Sequence, residues 1–371
     1  MSENPFTILG CAPLAVSIAL TLHRAGKVVR VIETDPHAAE RALHAMRDNG
    51  AELAGLLVSH FDNAIEGTLI LSEGEIEEAD LKTAADRVDT EIAVLALGSA
   101  VEAGRVFGSG RCVGLHLFEP VHLRHLAEIE PQAETGEAAV RAAQDLVGLL
   151  KKEPLVLAPG KGSAALRMLD RLIEAADTLM MDGSTPWEID EAMVDFGFDM
   201  GLYEAQDLAG LDLAYMRRQK QAHLRNPARR YIPIADRAVR EGRLGKKIGW
   251  GWYRYPGGGG AVIDPLVEDL AREEAWFAGV TPTPVTDIEI MNRLILALVN
   301  EGAFLISDGV LPDWGGVDLI AVHAFGFPEV RGGPGRILQE KGRKAILAEL
   351  HGLCEEDPVA WAPAPVLLEN G

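Results

Sequence analysis

Apolar and polar positions follow two rhythms along the chain. Up to about residue 160, short apolar runs alternate with longer stretches of helical spacing. FTILG, KVVRVIE, TLILSE, EIAVLAL, RCVGLHL, HLAEIE and EPLVLAP read as strands. PLAVSIALTLHRAG starts on Pro13 and stops at Gly26; PHAAERALHAMRDNG starts on Pro36 and stops at Gly50. Proline is tolerated in the first turn of a helix, and glycine readily adopts the left-handed conformation that ends one, so both stretches predict helices. Strands alternating with helices imply parallel pairing in a doubly wound α/β sheet. The segment from Gly50 to Gly67 carries no clear pattern.

Beyond residue 160 the rhythm is helical, with no clear strand. It also repeats. LRMLDRLIEAADTLMMDGSTP lies over NRLILALVNEGAFLISDGVLP at one offset, with Arg167 on Arg293, Asp182-Gly183 on Asp308-Gly309 and Pro186 on Pro312. FGF recurs at Phe196 and Phe325 after a small insertion. Two copies indicate a duplicated helical domain and are too few for a solenoid. RYPGGGGAVIDP reads as a flexible joint between the copies. The expected organisation is an α/β domain over residues 1–158, then two related all-α domains over 159–256 and 257–371.

With 371 residues, 48% of them hydrophobic, the chain can bury a sizeable core. No apolar run reaches the roughly 20 residues needed to span a bilayer, so no membrane insertion is expected. The N-terminus lacks a basic flank and a cleavable apolar core, so no secretion signal is expected either. Cys11, Cys112 and Cys354 are odd in number and widely spaced. They support neither a disulfide framework nor a metal site, and a reducing cytoplasm fits them. A net charge of −21 argues against nucleic acid and anionic membrane surfaces as partners. The span from Arg217 to Lys247 is locally basic, which suits either a solvated helical face or attraction of a phosphate-bearing substrate.

Two stretches carry candidate chemistry. ILGCAPLAVSIAL joins a strand to a helix, where a dinucleotide-binding turn of a Rossmann-like domain belongs. That turn needs small residues at three places, here Gly10, Ala12 and Ala15. A methyl group at Ala12 stands where pyrophosphate approaches the backbone, so Ala12 is expected to limit affinity. Glu33, at the end of the second strand, suits a ribose diol and repels a 2′-phosphate, which favours NAD over NADP. The turn alone serves either a nucleotide or plain sheet packing. GLHLFEPVHLRHLAEIEP places His116 and Glu128 on two neighbouring strands. They are either a base with its orienting acid or a strand cap with a solvated carboxylate.

GLHLFEPVHLRHLAEIE resembles the segment GLHFFNPV…LVEV of the 3-hydroxyacyl-CoA dehydrogenase family. EIDEAMVDFGFDMGLYEAQDLAGLDL, GRLGKKIGWGWYRY and the closing FGFPEVRGGP and PAPVLLENG are similar to further segments of that family and of its large multifunctional β-oxidation subunit, in the same order. The resemblance implies NAD as cofactor, an acyl-CoA thioester as substrate, His116 as general base and Glu128 as the acid that orients it. An imidazole titrates near neutral pH and can take the proton of a 3-hydroxyl as its carbon gives up hydride. A chain holding both helical copies is expected to be a monomer through its own two repeats, or a homodimer.

The chain departs from the family pattern at several helpers. Leu166 stands where the family has an asparagine donor. The family's SNTS turn is LGSA here, so Ser99, or Ala100 under a one-residue shift, takes the substrate-contacting position. The acidic segment before the third helix is reduced to LILSEG, with Glu73 as the nearby cofactor-binding candidate, and Glu119 replaces an asparagine. These departures leave three readings: an NAD-dependent L-3-hydroxyacyl-CoA dehydrogenase, a non-catalytic paralogue that binds an acyl-CoA or a partner chain, and altered chemistry on a CoA thioester that uses a base without a hydride acceptor.

Overall fold

In the computed structural model, which describes residues 5–48, 57–58, 61, 64–73, 76–118, 121, 123–220, 222–283 and 285–369, all seven apolar runs become strands. In chain order the first unit contains β1 (Phe6–Leu9), α1 (Pro13–Arg24), β2 (Val29–Ile32), α2 (Pro36–Asp48), β3 (Leu57–Val58), β4 (Thr68–Leu71), α3 (Glu78–Ala85), β5 (Val94–Leu97), α4 (Val101–Phe107), β6 (Cys112–Leu117), β7 (Leu126–Pro131), α5 (Glu137–Leu149) and β8 (Glu153–Val156). β3 comes from the stretch without a sequence pattern, most of which lies outside the described residues, as does Glu119.

The eight strands form one sheet in the order β3-β2-β1-β4-β5-β6-β7-β8. The order reverses between β1 and β4, which makes that point the topological switch where open α/β sheets bind ligands. Alternate residues of each strand feed opposite faces. Ile8, Val31, Ile70, Leu95 and Val113 pack with Ile18 and Leu22 of α1 and Leu146 of α5. Leu9, Ile32, Leu69, Leu71 and Val94 pack with Ala84 of α3 and Phe107 of α4. Burial on both faces explains why the strands read as continuous apolar runs.

Pairing is parallel except between β6 and β7, which run antiparallel. The expectation of uniform parallel pairing fails there for a simple reason. A parallel crossover needs a dozen or more residues, and residues 118–125 are too few for one.

The chain divides at Ser163/Ala164. The second unit is helical: α6 (Ala164–Met181), α7 (Pro186–Phe196), α8 (Leu202–Ala209), α9 (Leu211–Lys220), α10 (Ile234–Arg240), α11 (Pro265–Phe277), α12 (Asp287–Ser307), α13 (Trp314–Phe325), α14 (Pro334–Lys341), α15 (Arg343–Cys354) and α16 (Pro365–Leu368). Both helical copies fall inside this one unit. Arg167 and Arg293 occupy equivalent helices, α6 and α12, each followed by an Asp-Gly turn and a helix ended by a left-handed glycine, Gly197 or Gly326.

The copies meet reciprocally. Arg167 pairs with Glu301 and, at 2.7 Å, with Asp308 of the other copy, while Arg293 pairs with Glu289 and Glu356 in its own. Phe327 meets Phe196 and Phe198 edge-on at 5.7 and 5.1 Å between ring centroids. A Cβ on Gly197 would touch Pro328, and one on Gly326 would collide with Asp199, which is the counterpart of Pro328. Such mutual contacts are those of a two-fold interface folded into one chain.

Three features correct the sequence reading. The glycine run is not a flexible joint: Arg254 and Val262 exchange both backbone hydrogen bonds across it, at 2.9 and 2.8 Å, and Gly257 and Gly258 take the positive φ that closes the turn. The basic span is largely spent on internal ion pairs, Arg217 with Asp170, Arg218 with Asp236, Arg229 with Glu174 and Arg237 with Glu273 and Glu274. Finally, α12 is long and apolar enough to cross a membrane, although no run of its length stood out in the sequence; it is mostly buried as the central helix of its unit.

Candidate active site

The C-terminal ends of the parallel strands bring the sequence candidates to one edge of the sheet. Gly10 follows β1, Glu33 follows β2, Ser72 and Glu73 follow β4, Ser99 follows β5, and His116 lies near the end of β6.

The imidazole is held by β7. The register sets His116 opposite Glu128 and Gly114 opposite Glu130, so His116, Glu128 and Glu130 share one face. The hydrogen bond of His116 runs from Nε2 to Glu130 Oε2 at 2.7 Å, with both side chains largely buried. The acid implied by the resemblance, Glu128, is fully buried and accepts a hydrogen bond from the Ser163 hydroxyl instead. Gly114, opposite Glu130, has no room for a side chain: any Cβ there would lie 2.6 Å from the Gly98 carbonyl oxygen and 3.2 Å from Glu130 Cβ. With Nε2–H as the donor to Glu130, the lone pair able to take a proton is the one on Nδ1. Glu130 escaped the sequence reading, yet the alternation in LAEIE already put it on the face of Glu128.

Ser99 is exposed and its hydroxyl accepts from the Val101 amide at 3.4 Å, at the start of α4; Ala100 beside it is fully buried. Of the two positions left open by the sequence, Ser99 is the one with an accessible hydroxyl. Leu166 sits on α6, half-buried, and offers no polar group.

At the dinucleotide turn, Gly10 has φ +88°, and a Cβ there would lie 2.7 Å from Ser72 Cβ. Both the conformation and the close approach of β4 therefore require glycine. α1 starts with Ala12 as N-cap and Pro13 behind it, and Ala12 supplies no side-chain cap. The free amides find other acceptors. Cys11 N donates to Glu33 Oε2 at 3.1 Å, Ala12 N to Ser72 Oγ at 3.2 Å, Leu14 N to Glu73 Oε1 at 2.7 Å, and Ala15 N to Glu73 Oε2 at 3.2 Å. The other Glu33 oxygen accepts from Asp35 N at 2.9 Å. Burial, and then the neighbouring Glu33, push the Cys11 thiol up to about 12, so it is inert as a nucleophile. The strand order, Gly10 and Glu33 thus form a frame that fits a dinucleotide, while the amides meant for its phosphates are engaged by the chain's own side chains.

A cavity of about 480 Å³ within the helical unit is lined by Arg171, Arg230 and Arg293 but by more acids, among them Asp182, Glu289 and Glu356. Its charge does not suit a phosphate.

Residues 103–159 match the model of the 3-hydroxyacyl-CoA dehydrogenase NAD binding domain, and residues 162–255 match that of the 3-hydroxyacyl-CoA dehydrogenase C-terminal domain. The peroxisomal bifunctional enzyme of Danio rerio is 34% identical over 68% of this chain and 38% of its own length. That of Cavia porcellus is 28% identical over 95% of this chain and 53% of its own length. The chain spans about half the length, or less, of these curated relatives. Among solved structures, 3-hydroxybutyryl-CoA dehydrogenase from Escherichia coli superposes with a TM-score of 0.77 at 18% identity, covering 99% of this chain and 98% of that one. The dehydrogenase part of multifunctional enzyme 1 from C. elegans gives 0.69 at 22% identity, covering 99% and 89%. At these identities the superpositions show a shared fold.

Proposed function

The chain is a relative of the 3-hydroxyacyl-CoA dehydrogenase family, and on that premise we propose that it oxidises an L-3-hydroxyacyl-CoA to the 3-ketoacyl-CoA with NAD, a step of β-oxidation. The observation that carries the reading is the largely buried His116–Glu130 pair at the C-terminal edge of the sheet, 2.7 Å between Nε2 and Oε2. Gly10, the α1 N-terminus and Glu33 are the residues that would hold the dinucleotide, which when bound supplies the hydride acceptor. The chain's own part is to take the proton. As the C3–H electron pair leaves, the O3 proton passes to Nδ1 of His116 and the carbonyl forms. Glu130 holds the ring in the required tautomer and stabilises the imidazolium. Ser99 offers a hydroxyl for the substrate oxygen. Leu166 replaces the family's asparagine and has no side-chain donor, so turnover is expected to be slow.

One observation favours a second reading, a non-catalytic paralogue that binds an acyl-CoA or a partner: the turn amides are already taken by Glu33, Ser72 and Glu73. The test is NADH formation by the purified protein with 3-hydroxybutyryl-CoA and longer homologues. Formation supports the dehydrogenase; acyl-CoA binding without NADH formation supports the paralogue. Two further parts of the reading await their own tests. A monomer is favoured because the helical copies satisfy each other's two-fold contacts, and three free thiols favour a reducing compartment such as the cytoplasm.

A further inference from the structure

We infer that Glu73 sets the cofactor affinity of this chain, because its carboxylate occupies the backbone amides that a dinucleotide's pyrophosphate requires. This rests on the reading of the β1–α1 turn as a dinucleotide site. The amides of the first helical turn can be accounted for one by one. Pro13 has none. Leu14 and Ala15 donate to the two oxygens of Glu73 at 2.7 and 3.2 Å. Val16 already donates to the Ala12 carbonyl at 3.0 Å, as the helix ladder demands. Ahead of the helix, Ala12 donates to Ser72 Oγ, and that hydroxyl lies 3.3 Å from Glu73 Oε2. Cys11 donates to Glu33. No amide of the turn from Cys11 to Val16 is left for a phosphate oxygen.

The arrangement is one that a bound diphosphate would imitate. A helix N-terminus favours a negative charge through its dipole and its unsatisfied N–H groups. A bidentate carboxylate spanning two successive amides satisfies both. Ser72 and Glu73 are held there by the end of β4, whose Ser72 N donates to the Leu9 carbonyl at 2.8 Å and whose Cβ abuts Gly10. A diphosphate reaching the amides must displace Glu73, whose carboxylate carries charge of the same sign. Like charges so close oppose binding. Glu73 is therefore a competitor of the cofactor at this site and not one of its ligands.

The test is isothermal calorimetry of the full chain with NAD, ADP and adenosine. Glu73→Ala should tighten NAD and ADP at least tenfold and leave adenosine, which has no phosphate, unchanged. Glu73→Gln keeps an acceptor oxygen on the amides, so it folds even if the alanine variant does not, and it should tighten NAD by a smaller factor. NAD binding that is unchanged or weaker in both variants overturns the inference, as does an equal gain for adenosine. If NAD tightens as stated but no variant forms NADH from a hydroxyacyl-CoA, the inference stands and the dehydrogenase reading fails.

Discussion

Asp177, on α6, gives the helical unit a measurable pH dependence. Its side chain is buried, and its one described hydrogen bond is from the Tyr203 hydroxyl at 3.0 Å. Burial, only partly offset by that bond and by Arg218, raises its pKa from 3.8 to about 7. A carboxyl whose folded pKa exceeds its unfolded value keeps its proton longer in the native state. Stability is then highest below the unfolded pKa and falls as pH rises toward 7. Integrating one proton over that window gives a loss of about 2 kcal/mol between pH 5 and pH 7. Asp177→Asn keeps an oxygen to accept from Tyr203 and removes the titration. Its added amide protons, buried and unpaired, cost about 1–3 kcal/mol at every pH, so the diagnostic is the slope and not the level. Urea unfolding of both proteins at pH 5, 6 and 7 reads it directly. The wild type should lose about 2 kcal/mol relative to the variant across the series. Parallel pH profiles would refute the claim that Asp177 is buried and protonated near neutrality.

Glu130→Gln should lower turnover more than Glu128→Gln in steady-state assays, because Glu130 holds the His116 ring; the reverse order would return the orienting role to Glu128. Gly251→Ala should destabilise the chain by about 2–4 kcal/mol in thermal melts. A Cβ there falls 1.9 Å from Asp207 Oδ1 and would tear that carboxylate from the amides of Trp252 and Tyr253. A melt within the error of the wild type would contradict the packing. Ala12→Gly removes a methyl group but leaves Glu73 on the amides, so calorimetry should show less than a twofold change in NAD affinity. A tenfold gain from that substitution alone would place the obstacle at the methyl group, as the sequence suggests.

The fold was legible where local pattern and burial agree. Strands buried on both faces spell continuous apolar runs, and Pro13 and Gly26 bracket α1. Matched arginines and Asp-Gly turns exposed the duplication. Legibility ended where packing between distant segments decides. Ser72 and Glu73 reach the α1 amides across some 60 residues of chain, and no motif announces a carboxylate in a phosphate's place. The direction of β7 and the identity of the His116 partner lie between these cases. The short 118–125 connection dictates an antiparallel turn, and a period of two puts Glu128 and Glu130 on one face, but the pattern does not say which of the two meets the ring. The glycine run misled because flexibility in composition says nothing of the backbone bonds that Arg254 and Val262 make across it.

The central claim is that His116 is the base of a dehydrogenase, and one comparison tests it most directly. Wild type and His116→Ala are assayed for NADH formation with saturating NAD and the best 3-hydroxyacyl-CoA, with acyl-CoA affinity measured in parallel. Loss of a general base should lower turnover by roughly 10²–10⁴-fold with substrate affinity little changed. Equal rates in the two proteins, or no NADH from either with any hydroxyacyl-CoA, would contradict the account and favour the binding paralogue.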